Sequence, residues 1–416
     1  MRIIAAVQSK ARVVCRVVFS VSGEPKRKAR ILAIVAGVAL LAGGAALAWR
    51  GRSEHALAAS PSPTVVATIS AVNSPWGIAV NPVTNKVYVA NYSEGDSTVT
   101  VVDATTNTVI KTPAVHAPLG VAVNPTTNRV YVADHWGGKL VVMNGATDEV
   151  ITEVGVGSWP YGVAVNPSTN KIYVANQTSN NVSVIDGDTN TVVATVVPVG
   201  CWSYCPLGVA VNPTTNLIYT ANYNGNSVSV INGATDEVVD TVTVGSPLGV
   251  AVDPLTNRIF VTRDGGVVSV IDGATDAKLY DFPVGLYPEP IAFNTAMNHL
   301  YVGNGGDDNV WVIRHQGVPG WPPSVVPVGD YPIGIAVNPN TGRVYVTNST
   351  SNSVSVIQDY SDPVGGIAEH PQVEPETAQT NGGSWAPSAL ALAGAAGGAA
   401  LLLTAVGWYA RRRRLR

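Results

Sequence analysis

Short runs of alternating apolar and polar residues fill most of the chain. Ile172-Tyr173-Val174 and Val182-Ser183-Val184-Ile185 are two of many such runs, and a period of two predicts half-buried β-strands. The motifs Asn-Pro-x-Thr-Asn and Asp/Asn-Gly-Ala-Thr-Asp separate successive runs. Proline fixes φ, and Asn or Asp can bond the backbone ahead, so both motifs predict tight turns between strands.

The same pattern of strand and turn motifs recurs along the sequence. The tetrapeptide Gly-Ile/Val-Ala-Val begins at each of six glycines, and a degenerate copy, Pro290-Ile291-Ala292-Phe293, fills the one gap between them. The six positions are Gly77, Gly120, Gly162, Gly208, Gly249 and Gly334. Four short strands in each unit of about 40 residues are typical of β-propellers. We therefore predict an all-β, seven-bladed β-propeller.

The first predicted strand should complete the last blade. The seventh copy stops near Gln358 without a fourth strand. Thr64–Ile69 precedes the first copy and matches the sequence of a predicted fourth strand at 191–197. Pairing these two ends would remove an exposed sheet edge that could aggregate. We predict that the N-terminal strand closes the ring.

The repeat resembles a known family. Tyr345-Val346-Thr347-Asn348 and its variant Tyr173-Val174-Ala175-Asn176 make the chain, over roughly residues 63–358, similar to the YVTN β-propeller repeat family. Blades five and six depart from the pattern at Phe260, Arg263 and Thr295-Ala296-Met297. The resemblance implies a propeller outside the cytoplasm, as in surface-layer and envelope proteins, and carries no shared catalytic motif.

Composition and charge exclude several classes. With 46% hydrophobic and 13% charged residues, the chain does not fit a disordered protein. Residues 62–360 carry a net charge of −12, against +8 for 1–61 and +1 for 361–416. Phosphate backbones attract basic surfaces, so we expect no nucleic-acid partner.

Two long apolar segments flank the repeats. The uncharged run from 31 to 49 follows a basic cluster and as a helix would cover about 28 Å, close to the thickness of a bilayer core. The uncharged run from Ala389 to Ala410 precedes five arginines. Basic flanks stay cytoplasmic, so both chain ends are predicted to be held by the plasma membrane, with the propeller on the extracytoplasmic side.

The first apolar run favours an uncleaved signal anchor over a cleaved signal peptide, because Arg50, Arg52 and Glu54 separate it from the small residues around Ala58. The predicted organisation is a basic cytoplasmic segment (1–30), a transmembrane signal anchor or signal peptide (31–49), a linker (50–62), the propeller (63–360), a stalk (361–384), a transmembrane helix (385–410) and a basic cytoplasmic tail (411–416).

Candidate binding residues lie in the loops between blades and between second and third strands, which should share one face. That face is rich in aromatic residues, and aromatic planes near carboxylates suit sugar, peptide or cationic ligands. The alternative is that aromatics preceding a repeat glycine only fill gaps between blades. The candidates are Trp76, His135, Trp136, Trp159, Tyr161, Trp202, Tyr204, Tyr287 and Tyr331.

Cysteines add one further expectation. Cys201 and Cys205 flank Trp202 and Tyr204 in the longest inter-blade loop, and outside the cytoplasm they could form a disulfide that holds both aromatics. A reduced pair is the alternative.

The sequence contains no metal-ligand spacing and no nucleophile or phosphate-binding motif, so we predict neither catalytic nor metal-binding residues and no cofactor. The favoured function is a non-enzymatic binding domain at the cell surface for a glycan, peptide or protein. The alternatives are a metal-dependent hydrolase or lyase with its site at the central channel mouth, and a structural coat protein.

Overall fold

The computed structural model describes residues 61–70, 72–93, 97–198, 203–314 and 322–361. These ranges form seven four-stranded antiparallel sheets, the blades of a propeller. The predicted transmembrane segments 31–49 and 385–410 lie outside the described residues. Within the described ranges, no helix has the length and apolar character needed to cross a bilayer.

The first three blades follow one another along the chain. Their strands are β2 (Pro75–Asn81), β3 (Lys86–Asn91), β4 (Thr98–Asp103) and β5 (Thr108–Lys111) in blade 1; β6 (Pro118–Asn124), β7 (Arg129–Asp134), β8 (Lys139–Asn144) and β9 (Glu149–Gly155) in blade 2; and β10 (Pro160–Asn166), β11 (Lys171–Asn176), β12 (Asn181–Asp186) and β13 (Thr191–Val196) in blade 3.

The next three blades repeat this order. Their strands are β14 (Val209–Asn212), β15 (Leu217–Asn222), β16 (Ser227–Asn232) and β17 (Glu237–Thr243) in blade 4; β18 (Pro247–Asp253), β19 (Arg258–Arg263), β20 (Val267–Asp272) and β21 (Ala277–Pro283) in blade 5; and β22 (Pro288–Asn294), β23 (His299–Asn304), β24 (Asn309–Arg314) and β25 (Ser324–Pro327) in blade 6.

Blade 7 is built from both ends of the propeller. It contains β26 (Pro332–Asn338), β27 (Arg343–Asn348) and β28 (Ser353–Gln358), and its outermost strand is β1 (Thr64–Ile69). β1 pairs antiparallel with β28, with Val65 opposite Ile357 and Ile69 opposite Val354. The predicted closure by the N-terminal strand is confirmed.

The turns use the chemistry expected of their residues. The Asn81 side chain accepts hydrogen bonds from the backbone N–H groups of Val83 and Thr84, and Asn85 adopts a left-handed φ of 53°, which asparagine tolerates better than most residues. The same asparagine also links blades, because its Nδ2 donates to Asn128 Oδ1 of blade 2 at 2.8 Å. These turns are therefore structural and lie on the face opposite the candidate loops.

The core lies between adjacent sheets. The tyrosines of the second strands, such as Tyr88 and Tyr131, are fully buried and pack with apolar side chains of their own blade and of the next blade. Each interface buries apolar surface from two sheets, which is the main stabilising contribution in such folds.

Candidate ligand-binding face and channel mouth

Each inter-blade loop contains a non-glycine residue with a left-handed φ. In the loop before blade 4 it is Tyr204 (φ 51°), five residues before β14. In the other six loops it lies immediately before the innermost strand, with φ of 38–55°; these residues are Ser74, Ala117, Trp159, Ser246, Tyr287 and Tyr331. The carbonyl of such a residue can accept a backbone N–H from the loop between the second and third strands, as in Tyr92 N–H to Ser74 O and Gly305 N–H to Tyr287 O, both 3.0 Å. The two loop sets therefore lie side by side, as predicted.

Aromatic residues occupy four of these seven strained positions. A left-handed φ costs a non-glycine residue about 1–2 kcal/mol, and glycine or asparagine would adopt it more readily. Trp159, Tyr204, Tyr287 and Tyr331 adopt it instead, and three of them are well exposed, at 52% for Tyr204, 63% for Tyr287 and 40% for Tyr331. The backbone thus holds aromatic planes at the rim of this face.

Seven rings form a continuous band over blades 1 to 4. Neighbouring ring centroids are 5.1–6.5 Å apart, and most pairs meet edge to face, which is a favourable aromatic geometry. We call this set the aromatic band; in spatial order it contains Tyr161, Trp76, Tyr92, His135, Trp136, Trp159 and Tyr204.

Members of the band differ in accessibility. Trp136 is 56% exposed, whereas His135 is 7% exposed and lies 5.1 Å from the Trp136 ring and 5.2 Å from the Trp159 ring. Burial lowers the pKa of His135, although its Nδ1 lies 3.2 Å from the Pro160 carbonyl. His135 therefore packs against both tryptophan rings, and its direct contact with a ligand stays a prediction.

A groove of about 610 Å³ adjoins the band between blades 1 and 2, a volume within the usual range for ligand sites. Its walls include Tyr92, His116 and Trp136. Asp134, which is buried, stands where five of the other six blades have asparagine and blade 5 has Arg263. Its Oδ1 lies 2.7 Å from His116 Nδ1 and accepts the Gly137 N–H. This pair fixes the loop that presents Trp136.

The seven innermost strands surround a central channel with a cavity of about 190 Å³ at its mouth. Glycine recurs there because backbones approach closely: a Cβ on Gly77 would lie 2.1 Å from the Leu119 carbonyl oxygen of the next blade. The residue before this position is apolar or aromatic in six blades and Glu289 in blade 6; the other six are Trp76, Leu119, Tyr161, Leu207, Leu248 and Ile333.

Glu289 is the one charged side chain among the described residues that line this cavity. The Tyr161 hydroxyl donates a short hydrogen bond to Glu289 Oε1. Although the side chain keeps partial access to the channel, burial raises the pKa of the Glu289 carboxyl, and the Tyr161 bond opposes that rise. Burial, followed by the charge of Glu289, raises the pKa of Tyr161 well above its ordinary value.

The sequence-predicted residues therefore fall into three groups. The structure brings Trp76, His135, Trp136, Trp159, Tyr161 and Tyr204 together in the aromatic band. Tyr287 and Tyr331 lie in the loops before blades 6 and 7, and Tyr331 is close enough to Glu289 for that charge to raise its pKa, after burial. Trp202 lies outside the described residues.

Cys205 is fully buried and disulfide-bonded. Its predicted partner, Cys201, lies outside the described residues, so the Cys201–Cys205 pairing stays a prediction.

The metal-dependent alternative finds no ligand set in the described part of the chain. There, no group of three or more His, Cys, Asp or Glu side chains is placed to hold a metal ion, and a catalytic zinc site needs about three protein ligands.

Glu289 was missed by the sequence reasoning. Its signal was present, because Pro288-Glu289-Pro290 replaces both the apolar residue and the glycine of the repeat. At the level of sequence, Pro290-Ile291-Ala292-Phe293 serves only to complete the count of repeats, and the charge that precedes it enters no prediction.

Comparison with known proteins supports a propeller repeat family. The NHL repeat profile matches residues 330–357, the part of blade 7 that runs from β26 to β28. Among many solved chains of similar fold, a chain of the Kuenenia stuttgartiensis hydrazine synthase structure is 22% identical, with a TM-score of 0.64, and the match covers 71% of this chain and 98% of that one. No curated protein matches this chain significantly. At this identity the likeness concerns the fold alone.

Proposed function

We propose that this chain is a membrane-anchored, extracytoplasmic propeller that binds a glycan, peptide or protein on its aromatic face, without catalysing a reaction. The observation that carries the proposal is the aromatic band, seven rings in contact from the channel mouth to Tyr204. Aromatic residues of this kind dominate binding surfaces because they offer large, rigid contact areas.

The groove beside the band supports the same function. Exposed Trp136 forms part of both the groove wall and the band, so a ligand seated in the groove would also stack on the rings. His116 offers a ligand one polar side chain, which is exposed and is oriented by buried Asp134. An apolar cleft with a few fixed polar groups is the usual form of a ligand site.

The proposed location rests on the sequence. The apolar runs at 31–49 and 385–410, with their basic flanks, support anchoring at both ends with the propeller outside the cytoplasm. The YVTN-type motifs at Tyr173–Asn176 and Tyr345–Asn348 support membership of that propeller group, whose relatives include envelope proteins.

Thermal-shift screening of fragment 61–361, which contains every strand of the closed ring, tests the binding proposal. We expect a glycan or peptide to raise the melting temperature of the wild type, and Trp136→Ala to abolish that rise because it removes the exposed ring shared by groove and band. Leu255→Ala is the matched control, since Leu255 is 76% exposed in a turn between β18 and β19 on the other face. A ligand that stabilises Trp136→Ala as strongly as the wild type would place binding elsewhere.

A further inference from the structure

Among the residues that the structure describes, the Glu289 carboxylate at the channel mouth has no cationic partner. No described lysine, arginine or histidine forms an ion pair with Glu289, and no described residue donates a hydrogen bond to its Oε2. The positions equivalent to Glu289 in the other six blades are apolar or aromatic. Burying an unpaired carboxylate destabilises a fold, and leucine serves at this position in three blades, so packing alone does not account for Glu289.

The surroundings of Glu289 suit a positive charge. The Trp76 and Tyr161 rings meet edge to face at 6.5 Å, Tyr161 hydrogen-bonds the carboxylate, and Tyr331 is close enough for the carboxylate to affect its pKa. Faces of Trp and Tyr rings attract cations, most strongly where water is excluded. The remaining described lining is aliphatic or glycine, and it offers no positively charged group to an anion.

The size of the cavity restricts the ligand. Its volume of about 190 Å³ is below the roughly 300 Å³ at which sites for drug-sized ligands begin. A compact head group fits, and an extended ligand would have to continue over the face outside the channel. Trp76 belongs to both the channel lining and the aromatic band, so the band offers a path for such a continuation.

From these contacts we propose that the channel mouth binds an alkylammonium group, a protonated amine or a quaternary ammonium, with Glu289 as counter-ion and Trp76 and Tyr161 as the surrounding rings. The inference rests on the proposed binding function and adds the chemistry of one subsite. The ammonium could belong to a free small molecule or to a lysine side chain of a peptide, since both present the same cation.

Isothermal titration calorimetry on the full-length chain tests the subsite. The probes are choline, its neutral isostere 3,3-dimethylbutan-1-ol, n-butylammonium, and a lysine-centred pentapeptide with and without acetylation of the lysine. We expect the cations to bind and the neutral isostere to bind at least ~10-fold more weakly. Binding of the free ions alone would identify a small molecule as the source, and tighter binding of the unacetylated peptide would identify a lysine side chain.

Three variants separate the effect of the Glu289 charge from effects on folding. Glu289→Gln keeps the size of the side chain and an acceptor for Tyr161 but removes the charge, and we expect it to weaken ammonium binding at least ~10-fold. The matched control is Glu237→Gln, an exposed glutamate on outer strand β17, which should bind as the wild type does. Tyr161→Phe keeps the ring and should retain most of the affinity.

The pH dependence gives a further readout. Ammonium binding should strengthen as pH rises through the raised pKa of the Glu289 carboxyl, because the ionised form attracts the cation. The other titratable groups facing it, Tyr161 and Tyr331, have raised pKa values and stay neutral over this range. Glu289→Gln should lack the dependence.

The inference is wrong if no ammonium probe binds, if the neutral isostere binds as tightly as choline, or if Glu289→Gln binds as the wild type does. If any of these occurs while the Trp136-dependent thermal shift persists, the aromatic face still binds a ligand and only the cation subsite is excluded. Loss of the Trp136-dependent shift with ammonium binding intact would exclude the face and retain the subsite.

Discussion

A buried carboxylate joins neighbouring blades. Blade 2 supplies it from the turn between its third and fourth strands, whereas blade 7, which closes the ring, supplies it from a residue after its third strand. Asp148 of blade 2 pairs with Lys86 Nζ at 2.7 Å and accepts the Tyr88 hydroxyl at 3.1 Å. In blade 7 the sequence after β28 lacks the Asp/Asn-Gly-Ala-Thr-Asp motif that contains Asp148. Asp359 supplies the carboxylate instead: it accepts a hydrogen bond from the Tyr301 hydroxyl at 2.6 Å, and its Oδ2 lies 2.8 Å from His299 Nδ1.

The junction between blades 5 and 6 is apolar instead. The sequence from 315 to 323 lacks the Asp/Asn-Gly-Ala-Thr-Asp motif, so blade 6 offers no equivalent carboxylate. Phe260 replaces the tyrosine and stacks on Phe293, with centroids 5.7 Å apart. Phenylalanine has no hydroxyl to satisfy, so the departure at Phe260 follows from the loss of its acceptor.

Replacing Asp359 should destabilise the ring. Asp359→Ala leaves Tyr301 and His299 buried without their acceptor, and we expect a loss of about 3 kcal/mol in the free energy of unfolding, measured by urea denaturation at pH 7. Asp359→Asn, which keeps an acceptor oxygen, should lose less, and the exposed Asp330→Ala should lose almost nothing.

The Asp359 effect should depend on pH. Burial opposes ionisation, but hydrogen bonds from His299 and Tyr301 hold the pKa of Asp359 below its ordinary value. Its stabilisation is therefore present above the unfolded pKa of about 3.9 and is lost as pH falls through the lower folded value. The gap between wild type and Asp359→Ala should narrow near pH 3 (~1 unit below that unfolded value); an unchanged gap would argue against an ionised Asp359.

At the scale of strands, β1 is the element on which closure depends. It pairs with β28 across the whole blade edge, and Ile69 is buried in the core cluster between blades 7 and 1. Without it, β28 would be left as an unpaired edge beside an open apolar core, which favours association between chains.

Deleting residues 61–70 should convert a monodisperse fragment into a self-associating one. Size-exclusion chromatography with light scattering on 71–361 should show oligomers or aggregates, and a synthetic peptide of residues 62–70 should restore the monomer by re-forming the β1–β28 pairs. A truncated fragment that stays monomeric with unchanged melting temperature would show that β1 is dispensable.

At the scale of the whole molecule, the proposed topology can be tested in a bacterial host. Alkaline phosphatase, which is active only outside the cytoplasm, should be active when fused after residue 361 and inactive when fused after residue 416. Removing residues 1–49 should abolish activity of the first fusion, because the proposed export segment is then lost. If the fusion after residue 361 is inactive although residues 1–49 are present, the result would contradict an extracytoplasmic propeller.

The fold could be predicted from sequence because most blades repeat the same strand and turn motifs, and the local turn chemistry agrees with the period of the hydrophobic pattern. Blade number and β1 closure follow from counting those units. The site was less predictable: aromatic positions were visible, but the burial of His135 beneath Trp136 and the convergence of Tyr161 with Glu289, separated by 128 residues, depend on ring geometry that no single repeat encodes.

The pairing of Thr64 with Gln358 has a mechanical consequence. The chain enters and leaves the ring at the same end of an antiparallel strand pair, so tension between the two flanks would break its hydrogen bonds one after another, like a zipper, instead of shearing them together. If the two flanks were attached to separate objects that move apart, they would separate β1 from β28 at low force. If both flanks were attached to the same support, no tension would act on the β1–β28 pair, and the ring would stay closed however that support moved.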